Sequence, residues 1–427
     1  MTSSLPSRIG KYPILREIGR GATSTVYLAR DPFAERDVAI KVVQSDAPGD
    51  TDLQRRFKRV FLNEAALVGK LFHPHILAIY DAVSDDELSY IVMEYVDGKT
   101  LEHHCDVANL LPVAKVVEIV FKCSLALAFA QRHGVIHCDI KPANVLISGD
   151  TDIKISDFGA ALYDQAEHTH LKGVGSPAYM SPEQVQDHEL DFRTDVYSLG
   201  VVMYQMLTGK LPFRASSKAS LLYQVLNISP VAPSSFRRGI PGDLDQLVLR
   251  CLEKNVDARH ASWADFARDL TASYKNLELP TESVSDTEKF NTLRALSFFR
   301  DLRDQELWEA VRMTGWRQFA SEQGIVREGD VGDSFYVITA GEAKVTKLGR
   351  LLNILRAGDC FGEMLCFSET TTRRTTTISS LTPLTVIEIK AADLSRASDG
   401  LQNEMNKAFL RLLIDRLSWA NNRLSAA

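Results

Sequence analysis

The chain has 427 residues, of which 45% are apolar and 24% charged. That is long enough for two or three domains with cores of their own, and too apolar for wholesale disorder. Forty-nine basic against 55 acidic residues leave a formal charge of −6, so no basic field points to nucleic acid as a partner.

Six cysteines stand scattered at 105, 123, 138, 251, 360 and 366, with no C-x-x-C pair. This argues against a zinc knuckle or redox couple and suits a reducing cytosol. The N-terminal stretch MTSSLPSRIGKYPIL lacks the apolar core of a signal peptide. The longest apolar run, Val113 to Ala130, is interrupted by Lys115, Glu118 and Lys122, which predicts a buried helix and not a membrane span. A cytoplasmic protein with no membrane partner is expected.

In chain order, residues 12–43 alternate apolar and polar positions around glycines and predict short strands with tight turns. Residues 53–72 show helical spacing, with Phe57, Phe61, Ala65 and Val68 on one face. Strand signals return at 76–83 and 88–95, and from Val113 to about residue 270 helical patterns dominate, broken by the polar stretch 148–185. The polar segment 272–289, with Pro280, reads as a linker. Two helical segments follow, then about seven short strands from Phe319 to Ile389 with glycines at the turns, the pattern of an antiparallel barrel or roll. An amphipathic helix over 401–423, apolar at Leu401, Met405, Phe409, Leu412 and Leu413, closes the chain.

Gly19, Gly21, Ser24 and Val26 approximate G-x-G-x-x-G-x-V. A dinucleotide loop would run from strand to helix, whereas this one joins two predicted strands, so it can fold over phosphates and offer backbone N–H groups. An ordinary Gly-rich hairpin is the alternative. Lys41 ends the apolar strand Val38-Ala39-Ile40. Burial of an ammonium demands an anionic phosphate or a carboxylate, and Glu64 can supply the latter. A lysine that snorkels to the surface is the plain alternative.

The densest signal is His137-Cys138-Asp139-Ile140-Lys141-Pro142-Ala143-Asn144, followed by Asp157-Phe158-Gly159. Asp139 can accept a hydroxyl proton, Lys141 can stabilise charge on a transferred phosphoryl group, and Asn144 and Asp157 are hard oxygen ligands for Mg²⁺. Ser181-Pro182-Glu183 and Asp195-Val196-Tyr197-Ser198-Leu199-Gly200 follow.

With these motifs in this order, residues 11–271 resemble a Hanks-type protein kinase of the bacterial Ser/Thr kind. The resemblance implies ATP and Mg²⁺ as cofactors and a protein substrate with Ser or Thr hydroxyls. It assigns Lys41 to the nucleotide's phosphates with Glu64 as its partner, Asp139 to the catalytic base, and Asn144 with Asp157 to the metal. Gly19, Gly21, Val26, and a hinge from Glu94 to Val96 behind Met93, would bind ATP. Glu183 would pair with Arg259, and Asp195 would brace the catalytic loop. Ser24 replaces the third glycine of the family's loop, and Cys138 replaces the arginine of H-R-D. That arginine meets a phosphorylated loop in the family, and a thiol cannot. Cys138 is read as a small filler, with a redox switch as the alternative. Thr169 is the expected phosphosite, and Ser176 is expected to shape the substrate pocket.

Beyond the linker, Gly358-Asp359-Cys360-Phe361-Gly362-Glu363 precedes Arg373-Arg374-Thr375-Thr376-Thr377. A carboxylate facing an arginine across a short loop suits a ribose hydroxyl beside a phosphodiester, with Gly362 allowing close backbone approach. Residues 290–427 resemble a cyclic-nucleotide-binding domain. By that resemblance Glu363 would hold the ribose, Arg374 the cyclic phosphate, and Thr375 would lie beside it. Arg373 could take the place of Arg374. Either cAMP or cGMP is compatible.

The expected architecture is α+β: a bilobal kinase with a β-rich N-lobe and helical C-lobe, then a helix-flanked β-roll. The expected function is a protein Ser/Thr kinase regulated by a cyclic nucleotide. The alternative is an active kinase whose C-terminal domain binds none and serves docking or dimerisation, so a homodimer stays open. Intact Lys41, Glu64, Asp139, Asn144 and Asp157 argue against a pseudokinase scaffold.

Overall fold

The computed structural model describes residues 6–21, 24–43, 69, 71–84, 89–158, 162–163, 177–275, 286–363 and 373–425. Residues 53–68 and 70 of the predicted helix over 53–72, with Glu64, lie outside the described residues, as do Thr169 and Ser176. The chain divides into two units, Met1–Pro280 and Thr281–Ala427.

The first unit begins with an antiparallel sheet in the order β1-β2-β3-β4-β6-β5. Its strands are β1 (Arg8–Ile9), β2 (Tyr12–Arg20), β3 (Ser24–Asp31), β4 (Arg36–Val43), β5 (Ile79–Ser84) and β6 (Ser89–Glu94). Alternation sets its one-sided core, because successive side chains leave a strand on opposite faces. Val38, Ile40 and Val42 of β4 pack with Tyr90 and Val92 of β6 and with Ile9, Tyr12 and Ala29. Val26 and Lys41 are cross-strand partners, so the second half of the glycine loop and the lysine share one place on the sheet.

Helices follow: α1 (Val113–Arg132), the single turn α2 (Pro182–Val185), α3 (Arg193–Thr208), α4 (Lys218–Asn227), α5 (Gly242–Cys251) and α6 (Trp263–Lys275). The sides of α1 are buried nearly all round, which explains its apolar run. Two of the charges that interrupt that run are matched inside the core, Lys122 Nζ lying 3.2 Å from Glu118 and donating to the Thr151 carbonyl at 3.1 Å, while Lys115 pairs with Asp150 at the surface. No helix among the described residues is long and apolar enough to cross a membrane.

Among its described residues, the polar stretch 148–185 that breaks the helical pattern holds two short strands, each paired with a strand from earlier in the chain. β7 (Lys99–Thr100), β9 (Val145–Ser148) and β10 (Asp152–Ile155) form a ribbon, and β8 (Val135–Ile136) pairs with β11 (Leu162–Tyr163). Four-residue strands carry too few alternations to show as a period.

The second unit opens with α7 (Asp286–Ala295) and α8 (Asp304–Met313). With α6 ending at Lys275, helices occupy both ends of the segment read as a linker. Eight strands follow among the described residues, where about seven are expected: β12 (Thr314–Phe319), β13 (Gly324–Val326), β14 (Ser334–Ala340), β15 (Ala343–Lys347), β16 (Arg350–Leu355), β17 (Cys360–Phe361), β18 (Thr377–Ser380) and β19 (Leu384–Lys390). They make two four-stranded sheets, β12-β19-β14-β17 and β13-β18-β15-β16, around a core that includes Tyr336, Ile338, Phe361, Ile378 and Val386. After the short turn α9 (Ala391–Leu394), α10 (Asp399–Ser425) buries Leu401, Met405 and Phe409. Phe409 seats on Phe335 and Phe298, with ring centroids 5.0 and 5.4 Å apart.

Candidate active site and ligand site

Asp139 sits between short strands and a single 3-10 turn, on a loop whose backbone is held from several sides. Asp195, near the start of α3, accepts from the N–H groups of His137 and Cys138, each at 2.8 Å. Burial pushes the Asp195 carboxyl above its ordinary range, and His137 and the two N–H donors oppose that shift. The His137 ring accepts from the Asp139 N–H through Nδ1 at 3.2 Å and bonds the Ser156 carbonyl through Nε2 at 3.0 Å. It also packs against Phe158, centroids 4.4 Å apart.

Two residues here adopt left-handed backbone: Cys138 at φ 63° and Asp157 at φ 60°. Such a conformation in a non-glycine residue costs of order 1–3 kcal/mol and persists only where the surroundings over-determine it. At Cys138 the Asp195 carboxylate does so. The thiol itself is buried beside Ile136 and Leu190, in keeping with a filler.

The polar groups then converge. Lys141 Nζ lies 2.7 Å from Asp139 Oδ2. Asn144 Nδ2 donates to the Asp139 carbonyl at 2.8 Å and to its carboxylate at 3.1 Å. The Asn144 carbonyl accepts from the Ser156 N–H at 2.8 Å, which ties it to the residue before Asp157. Lys41 is paired with Asp157; Glu64, the partner expected from the sequence, lies outside the described residues. Asn144 and Asp157 thus present, on adjoining backbone, the hard oxygen donors that suit Mg²⁺.

Around this cluster, Gly19 is the cross-strand partner of Val26, and the Gly21 N–H donates to the Ser24 carbonyl at 2.8 Å. Glu94 ends β6; its side chain accepts from Lys154 Nζ at 2.8 Å and its N–H donates to the Ala78 carbonyl at 2.9 Å. Val96 follows, half-buried, and Met93 stands opposite Ala39. Glu183 and Arg259 meet in a buried pair, as expected. One contact lies outside the sequence reading: Gln184 Nε2 donates to the Cys138 carbonyl at 2.7 Å. Ser181 and Gln184 read in the sequence as an S-x-x-Q capping box, which accounts for the Gln184 oxygen and not for this contact.

In the second unit the two neighbouring arginines part company. Arg373 is exposed, and its guanidinium donates to the Gly329 carbonyl at 2.9 Å. Arg374 turns inward, donating to the Ser334 carbonyl at 2.7 Å and to the Gly362 carbonyl at 3.4 Å. Its berth is bounded by glycines. A Cβ at Gly332 would fall 2.1 Å from Arg374 Nε, and one at Gly362, whose φ is 82°, 2.5 Å from Arg374 Nη1. Glu363 is buried beside Gly362, and Thr375 is exposed. The sequence alone does not single out Gly332 or Ser334.

A model of the protein kinase domain matches residues 12–269, and one of the cyclic nucleotide-binding domain matches residues 316–399. The chain is 41% identical over 272 residues to the serine/threonine-protein kinase PknB of Mycobacterium leprae, covering 62% of this chain and 43% of that protein. It is 36% identical over 282 residues to a probable serine/threonine-protein kinase of Clostridium acetobutylicum, covering 66% and 41%. Against PknB of Mycobacterium tuberculosis the identity is 38% over 299 residues, covering 67% and 47%. The chain therefore spans less than half the length of these relatives.

Proposed function

The chain belongs to the protein kinase family, and from that premise we propose that it transfers the γ-phosphoryl group of ATP to Ser or Thr hydroxyls of a protein. We assign this activity to residues 11–271, the linker to 272–289, and a regulatory cyclic-nucleotide site to 290–427. The scattered cysteines suit work in the cytoplasm.

The observation that carries the reading is the contact chain from Lys141 through Asp139 to Asn144, and from Asn144 by way of Ser156 to Asp157 and Lys41. Phosphoryl transfer asks the protein mainly for position and charge. Asp139 orients the attacking hydroxyl and takes its proton at a carboxylate oxygen. Lys141 stands close enough to Asp139 to reach the oxygens of the phosphoryl group in transit. Lys41 holds the phosphates of ATP from the sheet side, with the Gly19–Val26 turn above them and the hinge Glu94–Val96 for the base. Glu64 is assigned as a second partner of Lys41. Asn144 and Asp157 would hold Mg²⁺, which neutralises phosphate charge when bound. In the second unit, Gly362, Glu363, Arg374 and Thr375 are assigned to cAMP or cGMP, the inward set of Arg374 supporting it over Arg373.

The test is ATP-dependent phosphorylation of a generic Ser/Thr protein substrate by the purified chain, with each cyclic nucleotide titrated in turn. Transfer that one nucleotide alters several-fold is the expected result. Transfer indifferent to both would leave the C-terminal unit a docking or dimerisation module, and no transfer would overturn the kinase reading.

A further inference from the structure

The side chain of residue 138 is a buried thiol with no charge to offer, yet the backbone of that residue is gripped at both ends. Its N–H is held by Asp195 from α3 at 2.8 Å. Its carbonyl is held by Gln184 from α2 at 2.7 Å. That carbonyl belongs to the same peptide plane as the Asp139 N–H, so whatever fixes its rotation also fixes the mounting of Asp139.

Gln184 is well placed to do this because its own anchor is rigid. Its Oε1 accepts from the Ser181 N–H at 2.9 Å, and Ser181 Oγ accepts in return from the Gln184 N–H at 3.2 Å. Ser181 is further tied to Thr194, and Glu183 on the same turn to Arg259. The orientation of the carboxamide follows from chemistry: an N–H can only meet the oxygen, and a carbonyl can only meet the amide nitrogen. One side chain therefore joins the turn 181–185 to the peptide that carries the aspartate.

Resting on the kinase reading above, we propose that Gln184 is a positioning residue for Asp139. It couples the turn 181–185 to the catalytic loop through main-chain hydrogen bonding, so that no cationic side chain is needed at position 138. In this arrangement the link runs through the Gln184 carboxamide from the Ser181 N–H to the Cys138 carbonyl.

Gln184→Glu tests it. The variant keeps the size and the acceptor for Ser181, but places an oxygen against the Cys138 carbonyl. We expect kcat for protein phosphorylation to fall at least tenfold at pH 8, with KM for ATP and the melting temperature close to wild type. Because the introduced carboxyl regains a donor when it is protonated, the ratio of variant to wild-type kcat should rise as the pH is lowered toward 6. Gln184→Met, which removes both bonds, should lose kcat with no such pH recovery. A Gln184→Glu protein with wild-type kcat, or a loss of kcat without pH recovery, overturns the proposal, as does failure of both variants to fold, which would mark a purely structural role. Inactive wild-type protein overturns the kinase reading and this proposal together, whereas active wild type with an equally active variant overturns this one alone.

Discussion

Glu183 and Arg259, 76 positions apart, meet end-on: Nη1 to Oε1 at 2.7 Å and Nη2 to Oε2 at 2.8 Å, both buried. Burial raises the Glu183 carboxyl, but the guanidinium opposes it and the net effect holds the group below its ordinary range. Removing one partner strands a buried charge, which costs about 3–5 kcal/mol. Arg259→Met should therefore lower the stability of the first unit by roughly that amount in urea titrations. The sign with pH follows from the depressed carboxyl. The wild-type advantage is full above the ordinary carboxylate range and shrinks as pH falls through the lowered pKa. An advantage that grew on acidification would contradict the pairing.

Lys41→Met and Asp157→Asn should each abolish ATP-dependent phosphoryl transfer while the thermal melt stays cooperative. Loss of one preorganised charge partner typically costs about 10²–10³ in rate. Near wild-type transfer by a folded Asp157→Asn protein would remove the basis of the active-site assignment.

For the second unit, Arg374→Ala should eliminate both the shift in melting temperature by cAMP or cGMP and any change in kinase rate, leaving basal transfer intact. Arg373→Ala should retain both, because its guanidinium is engaged at Gly329 and not at Gly362. Ligand at 100 times its dissociation constant adds about 2.7 kcal/mol, enough to read in a thermal melt. We expect activation, since an appended unit more easily obstructs a kinase than assists it. Equal losses in the two variants would defeat the distinction between these arginines.

Lys254 offers a prediction of opposite sign. Its Nζ lies over the Phe213 ring at 4.0 Å and is buried with no hydrogen-bond partner among the described residues. Burial first, and the charge of Arg259 second, push its pKa down to about 8. The folded state thus disfavours the proton, and stability rises as pH climbs from about 8 toward the ordinary lysine value of 10.5. Lys254→Met should raise the melting temperature at pH 7 by a few degrees, with the gain shrinking by pH 10. A variant that melts lower at pH 7 would show that the cation–π contact outweighs the burial.

Legibility in the sequence tracks how locally each feature is encoded. His137 to Asn144 is one continuous string, so its chemistry can be read at sight. The Glu183–Arg259 pair and the Asp195 brace join distant positions and are readable only through resemblance. Strand β12 escapes the pattern because it has no fully buried residue and two exposed polar residues, Arg317 and Gln318, stand together in it, which breaks the alternation. Between Arg373 and Arg374 no pattern can choose, since adjacent residues of a loop differ only in which way the folded backbone turns them. The role of Gln184 is hidden for a related reason: its capping signature explains its oxygen, and nothing in the string reveals where its nitrogen goes.

The berth of Arg374 exists only because positions 332 and 362 carry no side chain. Glycine codons become alanine, serine or valine codons by single-base changes, and each of those residues would place an atom where the guanidinium now lies. The groups assigned to phosphoryl transfer all belong to the other unit. On the proposed assignment, a lineage could lose the ligand response in one mutational step while keeping phosphoryl transfer, and selection alone would hold the two together.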